Sequence, residues 1–168
     1  MQLDDAFAEQ TEQLLGDVDC LEAAVYMGDV ACPEWASSLT ELINQHDPAE
    51  MPEQDANDMA GIFYTGGTTG FPKGVMQSHR AIWASAVGAL PLLEMRRDSI
   101  YLHAAPMFHL ADGAMAQGIN LAGAEHAYVP AFEPERVLEL IERRGVTHLL
   151  LVPTMIGMLL QSSSYSPD

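Results

Sequence analysis

Residues 64–74 read Tyr-Thr-Gly-Gly-Thr-Thr-Gly-Phe-Pro-Lys-Gly. From Thr65 to Gly70 every residue is glycine or threonine, so this stretch carries almost no side-chain bulk. Glycine allows positive φ and lets the backbone come close to a ligand. Successive N–H groups in such a run can converge on one anion. The threonine hydroxyls add donors, Pro72 stiffens the approach, and Lys73 adds a positive charge. Many donors, one cation and little bulk suit a phosphate. The plainer alternative is a Gly/Thr-rich surface turn.

Two common phosphate-binding patterns do not fit. In G-x-x-x-x-G-K-[ST] a glycine precedes the lysine and a hydroxyl follows it, but Pro72 and Gly74 stand in those places. In G-x-G-x-x-G the first two glycines are spaced, but Gly66 and Gly67 are adjacent. A P-loop kinase or NTPase is therefore disfavoured. Ala60 to Tyr64 is apolar and aromatic and predicts a strand entering the loop. Gly74 to Gln77 is too short and too β-like for a helix, so a second strand should return from the loop as a hairpin. A P-loop would instead run directly into a helix.

Downstream, Ser78 fits the N-cap of a helix from His79 to about Leu92. Ile82, Ala86, Ala89, Leu90 and Leu93 form its buried stripe. Ser99 to Ala104 predicts a strand, followed after Gly113 by a helix to about Leu121. Gly123 and Ala124 punctuate, and Glu125 to Val129 predicts a strand. Pro134 opens a helix at its first turn, with Val137, Leu138, Leu140 and Ile141 facing inward. Gly145 closes that helix. Thr147 to Val152 predicts an apolar strand, Pro153 starts a last helix, and the Ser162–Ser164 tail reads as frayed.

Upstream, Leu3, Phe7, Leu14 and Leu15 lie near helical spacing and predict a helix over 2–15. Leu21 to Met27 predicts a buried strand, and Trp35 to Asn44 a helix. Residues 47–58 hold two prolines and five acids and predict an exposed connection, after which the next strand rejoins the same sheet. Alternating strands and helices imply an α/β fold: a layered, mostly parallel sheet flanked by helices.

Charge narrows the partners. The formal net charge is −17, and fifteen of the 24 acids fall in residues 1–58, which contain no Lys or Arg. Lys73 is the only lysine. Nucleic acid and anionic membranes both need a basic surface, so they are poor partners. The acidic half reads as a solvated surface or, more sharply, as adaptation to high salt. The most apolar run, Leu149 to Leu160, is too short to span a bilayer and contains Pro153. Asp4 and Asp5 near the start, without a basic residue, do not fit a signal peptide. Cys20 and Cys32 lack C-x-x-C spacing; they read as free thiols of a reducing, cytoplasmic compartment rather than metal ligands.

A second motif follows the loop. Ala105 to Gly113 reads Ala-Pro-Met-Phe-His-Leu-Ala-Asp-Gly. Taken alone, His109 is a histidine in an apolar stretch, more often a satisfied core residue than a functional one. Together the two motifs resemble the adenylate-forming superfamily, in its acyl-CoA synthetase branch. That family's loop reads approximately [ST]-[SG]-G-[ST]-T-G-x-P-K-G. Thr65, Gly66, Gly67, Thr68, Thr69, Gly70, Pro72, Lys73 and Gly74 fit it. The family's later stretch reads P-[ML]-F-H-x-x-G. Pro106, Met107, Phe108 and His109 fit, and the glycine falls one place later, at Gly113. Phe132 to Glu135 and Val152 to Met155 also resemble the family, so the likeness covers nearly the whole chain.

The resemblance implies a fatty-acyl or other carboxylic-acid CoA ligase that uses ATP, Mg²⁺ and CoA. A carboxylate attacks the α-phosphorus to give acyl-AMP and pyrophosphate, and CoA thiolate then displaces AMP. Thr65, Gly66, Gly67, Thr68, Thr69, Gly70 and Lys73 inherit phosphate binding, with Lys73 and His109 as catalytic candidates. Phe108, His109 and Gly113 inherit the acid pocket. The family's Tyr-Gly-x-[ST]-Glu metal motif, ribose aspartate and C-terminal lysine domain do not occur here. The chain thus reads as a fragment, residues 1–168, of the AMP-binding N-terminal domain, inactive alone and prone to self-association. A non-catalytic phosphate-binding or scaffold module derived from that fold is the alternative.

Overall fold

A computed structural model describes residues 1–66 and 70–166. The chain divides into two compact units, Met1–Glu53 and Gln54–Asp168.

The first unit is a small parallel sheet with two helices. Its strands are β1 (Gln2–Leu3), β2 (Val25–Tyr26) and β3 (Ser37–Ser38), in that order across the sheet. Leu3, Ala24 and Tyr26 form its core, with Leu15 and Trp35 packed against them. This corrects the predicted helix over 2–15. Leu3 pairs with Tyr26 in a parallel ladder, a distant contact that helical spacing cannot register. Asp4 then caps a single 3-10 turn, Asp5–Phe7, accepting from the Ala6 N–H at 3.0 Å. Only after it does helix α1 (Ala8–Asp17) begin. Strand β2 is shorter than the predicted 21–27. The predicted helix over 35–44 likewise starts late. Ser38 closes β3 and caps α2 (Leu39–Gln45) through the Glu41 N–H at 3.4 Å.

The second unit begins with an antiparallel hairpin, β4 (Met59–Thr65) and β5 (Lys73–Ser78), which pairs Phe63 with Val75 and Thr65 with Lys73. Among the described residues β4 pairs with β5 alone. The expectation that the strand after residues 47–58 rejoins the first sheet is therefore wrong: that connection crosses the boundary between the two units. Its acids and prolines give it no ladder to join.

Ser78 then caps α3 (His79–Leu92), its hydroxyl accepting from the Ala81 N–H at 3.2 Å. Ala86 is buried, but Leu93, expected inward, lies at the helix C-cap and is exposed. A parallel sheet follows, in the order β7 (Glu125–Tyr128), β6 (Ile100–His103), β8 (His148–Leu149). Strand β8 is two residues long rather than the six predicted. Period-two alternation sorts the faces of β6. Leu102 points with Ala127 into a core closed by Val137 and Leu140 of α5 (Pro134–Arg144) and Met155 and Leu159 of α6 (Pro153–Gln161). Burying a residue such as Leu102 or Val137 contributes about 1.5–3 kcal/mol. Tyr101 points the other way, against Ile119 of α4 (Leu110–Ala122) and Met95. Gly123 and Gly145, both at φ 65°, end α4 and α5 in the left-handed conformation.

Candidate functional site

The loop between β4 and β5 is held at its base by the hairpin register. Thr65 and Lys73 are its last ladder pair, and the Thr65 hydroxyl also donates to the Lys73 carbonyl at 3.4 Å. Lys73 opens β5 as an exposed residue and has no ion-pair partner among the described residues. Gly70 has φ 98°, which a side chain would strain. A Cβ on Gly66 or Gly70 would meet no atom of the described residues within 4 Å, so neither is packed against them. Gly67, Thr68 and Thr69, part of the predicted phosphate cradle, lie outside the described residues.

The second motif forms the link between β6 and α4. The His109 N–H donates to the Pro106 carbonyl at 3.1 Å, and the Gly113 N–H to the His109 carbonyl at 2.9 Å. His109 is the N-cap of α4 by backbone conformation, without a side-chain cap. Phe108 and His109 are exposed, their rings 4.7 Å apart. Gly113 is needed for space: a Cβ there would lie 2.6 Å from the Met107 carbonyl oxygen.

Two hollows flank this link. One, of about 400 Å³, lies between the hairpin, α3 and α4, and is lined by Phe63, Ile82, Met107, Leu110 and Gly113 among others. The other, of about 460 Å³, opens at the C-terminal ends of β6 and β7, beside His103, Phe108, Tyr128 and Phe132. The three residues expected to share one pocket are thus spread. Gly113 lines the first hollow, Phe108 the second, and His109 neither, while Met107 lines both.

Sequence reasoning missed a buried polar network. Asp112, in the first turn of α4, is fully buried. One of its oxygens accepts from the Tyr101 hydroxyl at 2.8 Å, and the other lies 2.6 Å from His103 Nδ1. His103 Nε2 is 2.9 Å from His126 Nδ1, and His126 Nε2 is 2.9 Å from the Asn120 side-chain amide. The Asn120 side-chain oxygen faces His126, so His126 Nε2–H donates to it and His126 Nδ1 accepts from His103 Nε2–H. The His103 ring stacks on Tyr128, centroids 5.0 Å apart at 13°. Burial, then the Asp112 bond and charge, push the Tyr101 phenol far up. Burial, then His103, hold His126 below the ordinary imidazole value. A readable signal existed: Tyr-Leu-His in β6 and His-Ala-Tyr in β7 each place two ring side chains on one face of a strand.

Among the described residues no group of three or more His, Cys, Asp or Glu is placed to hold a metal ion. No helix among them is long and apolar enough to cross a membrane.

A sequence profile described as "AMP-binding enzyme" matches residues 3–167. A 4-hydroxybutyrate–CoA ligase of Metallosphaera sedula is 33% identical over 129 residues, which cover 76% of this chain and 24% of the relative. A 2-succinylbenzoate–CoA ligase of Geobacillus kaustophilus is 33% identical over 159 residues, 92% of this chain and 30% of the relative. Among solved structures, ATP-bound MatB from Rhodopseudomonas palustris superposes with a TM-score of 0.77 at 27% identity, over 97% of this chain and 31% of its own. A long-chain-fatty-acid-CoA ligase from Archaeoglobus fulgidus gives 0.81 at 27% identity, over 95% and 31%. The chain therefore spans 24–31% of the length of these four proteins.

Proposed function

The chain belongs to the AMP-binding enzyme family, and we propose that it supplies the phosphate-loop portion of an ATP-dependent acid–CoA ligase. The observation that carries this reading is the base of the β4–β5 hairpin. There the Thr65–Lys73 pair presents the chain's one lysine, exposed and without an ion-pair partner among the described residues, beside a Gly/Thr loop.

The proposed chemistry has two steps. A substrate carboxylate oxygen bonds to the α-phosphorus of ATP while the bond to the pyrophosphate oxygen breaks. The CoA thiolate then attacks the acyl carbon, and AMP leaves. Charge accumulates on the departing pyrophosphate. Thr65, Gly66, Gly67, Thr68, Thr69, Gly70 and Lys73 are the groups proposed to meet it with N–H, hydroxyl and ammonium donors. Gly66 and Gly70 fit that task, because no atom of the described residues packs where their side chains would be. Mg²⁺ ordinarily shares such charge, but the described residues offer no cluster to hold it, and no step is assigned to it here.

The apolar hollow between α3 and α4 is the proposed acid site, with Gly113 in its wall and Phe108 and His109 at the adjoining link. Its lining of Phe63, Ile82, Met107 and Leu110 suits a fatty acid. His109 is proposed to act at the reacting carboxylate. The two free thiols accord with a cytoplasmic setting. Exposed Ile62, Tyr64, Val75 and Met76 on the hairpin favour self-association of the isolated chain.

Calorimetric titration with ATP tests the reading. The chain should bind ATP, and Lys73→Ala should weaken binding at least about tenfold, or 1.4 kcal/mol. Its melting temperature should stay unchanged, because Lys73 is exposed. Equal affinity in both forms refutes the assignment. With ATP, Mg²⁺ and a panel of fatty and aromatic acids, the chain alone should release no pyrophosphate. Alignment of the reactants can supply about 7–11 kcal/mol of the barrier, and of the groups that align them only the phosphate loop and the acid pocket are proposed to lie in this chain.

A further inference from the structure

We propose that Asp112 is a positioning residue for the link segment Met107–His109, which borders the acid hollow at Met107, acting through Tyr101 and His103. The proposal rests on the reading of the α3–α4 hollow as the acid site. Asp112 occupies the place where the family pattern has glycine, and it is fully buried. A buried carboxylate is costly unless paired, and apolar side chains would join two elements at less cost. What the carboxylate adds is direction. Its two oxygens are held by two side chains on one face of β6, Tyr101 at 2.8 Å and His103 at 2.6 Å. Two anchors fix both the distance and the rotation of the first turn of α4 against the strand end. His126 of β7 holds the far side of the His103 ring at 2.9 Å. The six-residue link 104–109 therefore runs between two points tied together by side chains.

The clamp and the hollow share one turn of helix. Asp112 lies on the buried side of α4, while Leu110 and Gly113, its near neighbours in sequence, line the hollow. Gly113 in turn seats the Met107 carbonyl. Rotating this turn would move Met107 and Leu110, and with them the mouth of the hollow.

The test uses the whole chain with Asp112→Asn and Tyr101→Phe. Asparagine keeps the shape but has one acceptor oxygen where the carboxylate has two, so it cannot accept from Tyr101 and His103 on separate oxygens. The His103 ring ¹⁵N shifts should differ between wild type and Asp112→Asn, because the carboxylate facing Nδ1 is replaced by a neutral amide. Amide hydrogen exchange at His109 and Gly113 should accelerate at least tenfold in Asp112→Asn, with less than twofold change in α5 and α6. Tyr101→Phe, which loses one anchor, should give an intermediate acceleration. Binding of cis-parinarate, a fluorescent fatty acid, should weaken at least fivefold at a temperature where both proteins are folded. Exchange that is unchanged, or uniformly faster across the second unit, overturns the proposal. If Asp112→Asn does not fold, Tyr101→Phe decides by the same comparison. If the wild type does not bind cis-parinarate, the acid-site reading fails, while the exchange pattern still decides whether the clamp positions the segment.

Discussion

A Cβ added to Gly113 would lie 2.6 Å from the carbonyl oxygen of Met107. No real Cβ tolerates that distance to backbone, so Gly113→Ala must push the β6–α4 link away from the helix. Overpacking of this kind typically costs about 1–3 kcal/mol. Two helical glycines serve as controls. At Gly118 the nearest atoms to a new Cβ are Met95 Sδ at 3.5 Å and Leu90 Cδ2 at 4.0 Å, and at Gly88 nothing lies within 4 Å. Alanine at either should stabilise by up to about 1 kcal/mol. Urea titrations of the three variants check the order. Gly113→Ala as stable as Gly88→Ala would rule out the close contact.

Glu94 is the one described non-glycine residue with positive φ, at 53°. It sits just past α3, where the Met95 N–H returns to the Leu90 carbonyl at 3.1 Å. That bond pattern is the Schellman ending, which favours glycine at this place. Glu94→Gly should stabilise by about 0.5–1 kcal/mol, relief of a left-handed side chain offset by a freer unfolded chain. Little is lost with the side chain. Its contact to Arg96 is 3.9 Å long and exposed at both ends. A drop in melting temperature would contradict the cap assignment.

Where local chemistry decided the fold, the sequence was legible. Ser78 marked the start of α3, Pro134 and Gly145 bounded α5, and the short, β-like Gly74–Gln77 implied a hairpin rather than a strand–helix turn. Where a distant partner decided, it was not. Gln2 and Leu3 are strand only because Val25 and Tyr26 lie beside them. The apolar run 147–152 forms ladder only at His148 and Leu149, because β6 offers only Tyr101 and Leu102 to it. The site divides in the same way. The loop and Lys73 were readable as a motif, but nothing local to Asp112 marks it as buried. Its burial follows from Tyr101 and His103, which reach it only after β6 and α4 pack.

His126 gives the second unit a pH dependence with a definite sign. Burial and His103 hold its folded-state value below the ordinary 6.5. The unfolded chain therefore binds the proton first. Stability is fully present above pH 6.5 and falls as pH drops through the lower folded-state value. His126→Asn removes the ring, so wild type and variant should converge in relative stability at low pH and differ most above 6.5. Melts at pH 8, 6 and 5 check this. A gap that stays constant with pH would mean that His126 does not titrate differently in the two states.

Tyr26 and Asp5 set the limits for the first unit. The Tyr26 hydroxyl donates to the Asp5 carboxylate, which also accepts from the Asp29 N–H at 3.1 Å. The Tyr26 bond, then the backbone bond, hold Asp5 below its ordinary 3.8, and Asp5 pushes Tyr26 up to about 12. For Asp5 the stabilisation is present above 3.8 and lost as pH falls below it. For Tyr26 it is present below 10 and lost as pH rises toward about 12. Tyr26→Phe should flatten both flanks when unfolding of this unit is followed by Trp35 fluorescence. Unchanged acid and alkaline flanks would disprove the pairing.

The same unit should gain stability from salt. Thirteen of the fifteen acids of residues 1–58, and no Lys or Arg, lie in this unit, and they repel one another when brought together by folding. The only cationic group there besides histidine is the N-terminal amine, which is already bonded to the Ala23 carbonyl at 2.8 Å. Screening shortens the reach of this repulsion from about 10 Å at 0.1 M to about 3 Å at 1 M. Melting followed at Trp35 should therefore shift upward between about 0.1 M and about 1 M KCl. The second unit, where all seven basic residues lie, should respond less. Potassium and sodium chloride should act alike, because screening depends on ionic strength and not on a bound ion. A transition that does not move, or that moves with one cation alone, would show that bulk repulsion is not what limits this unit.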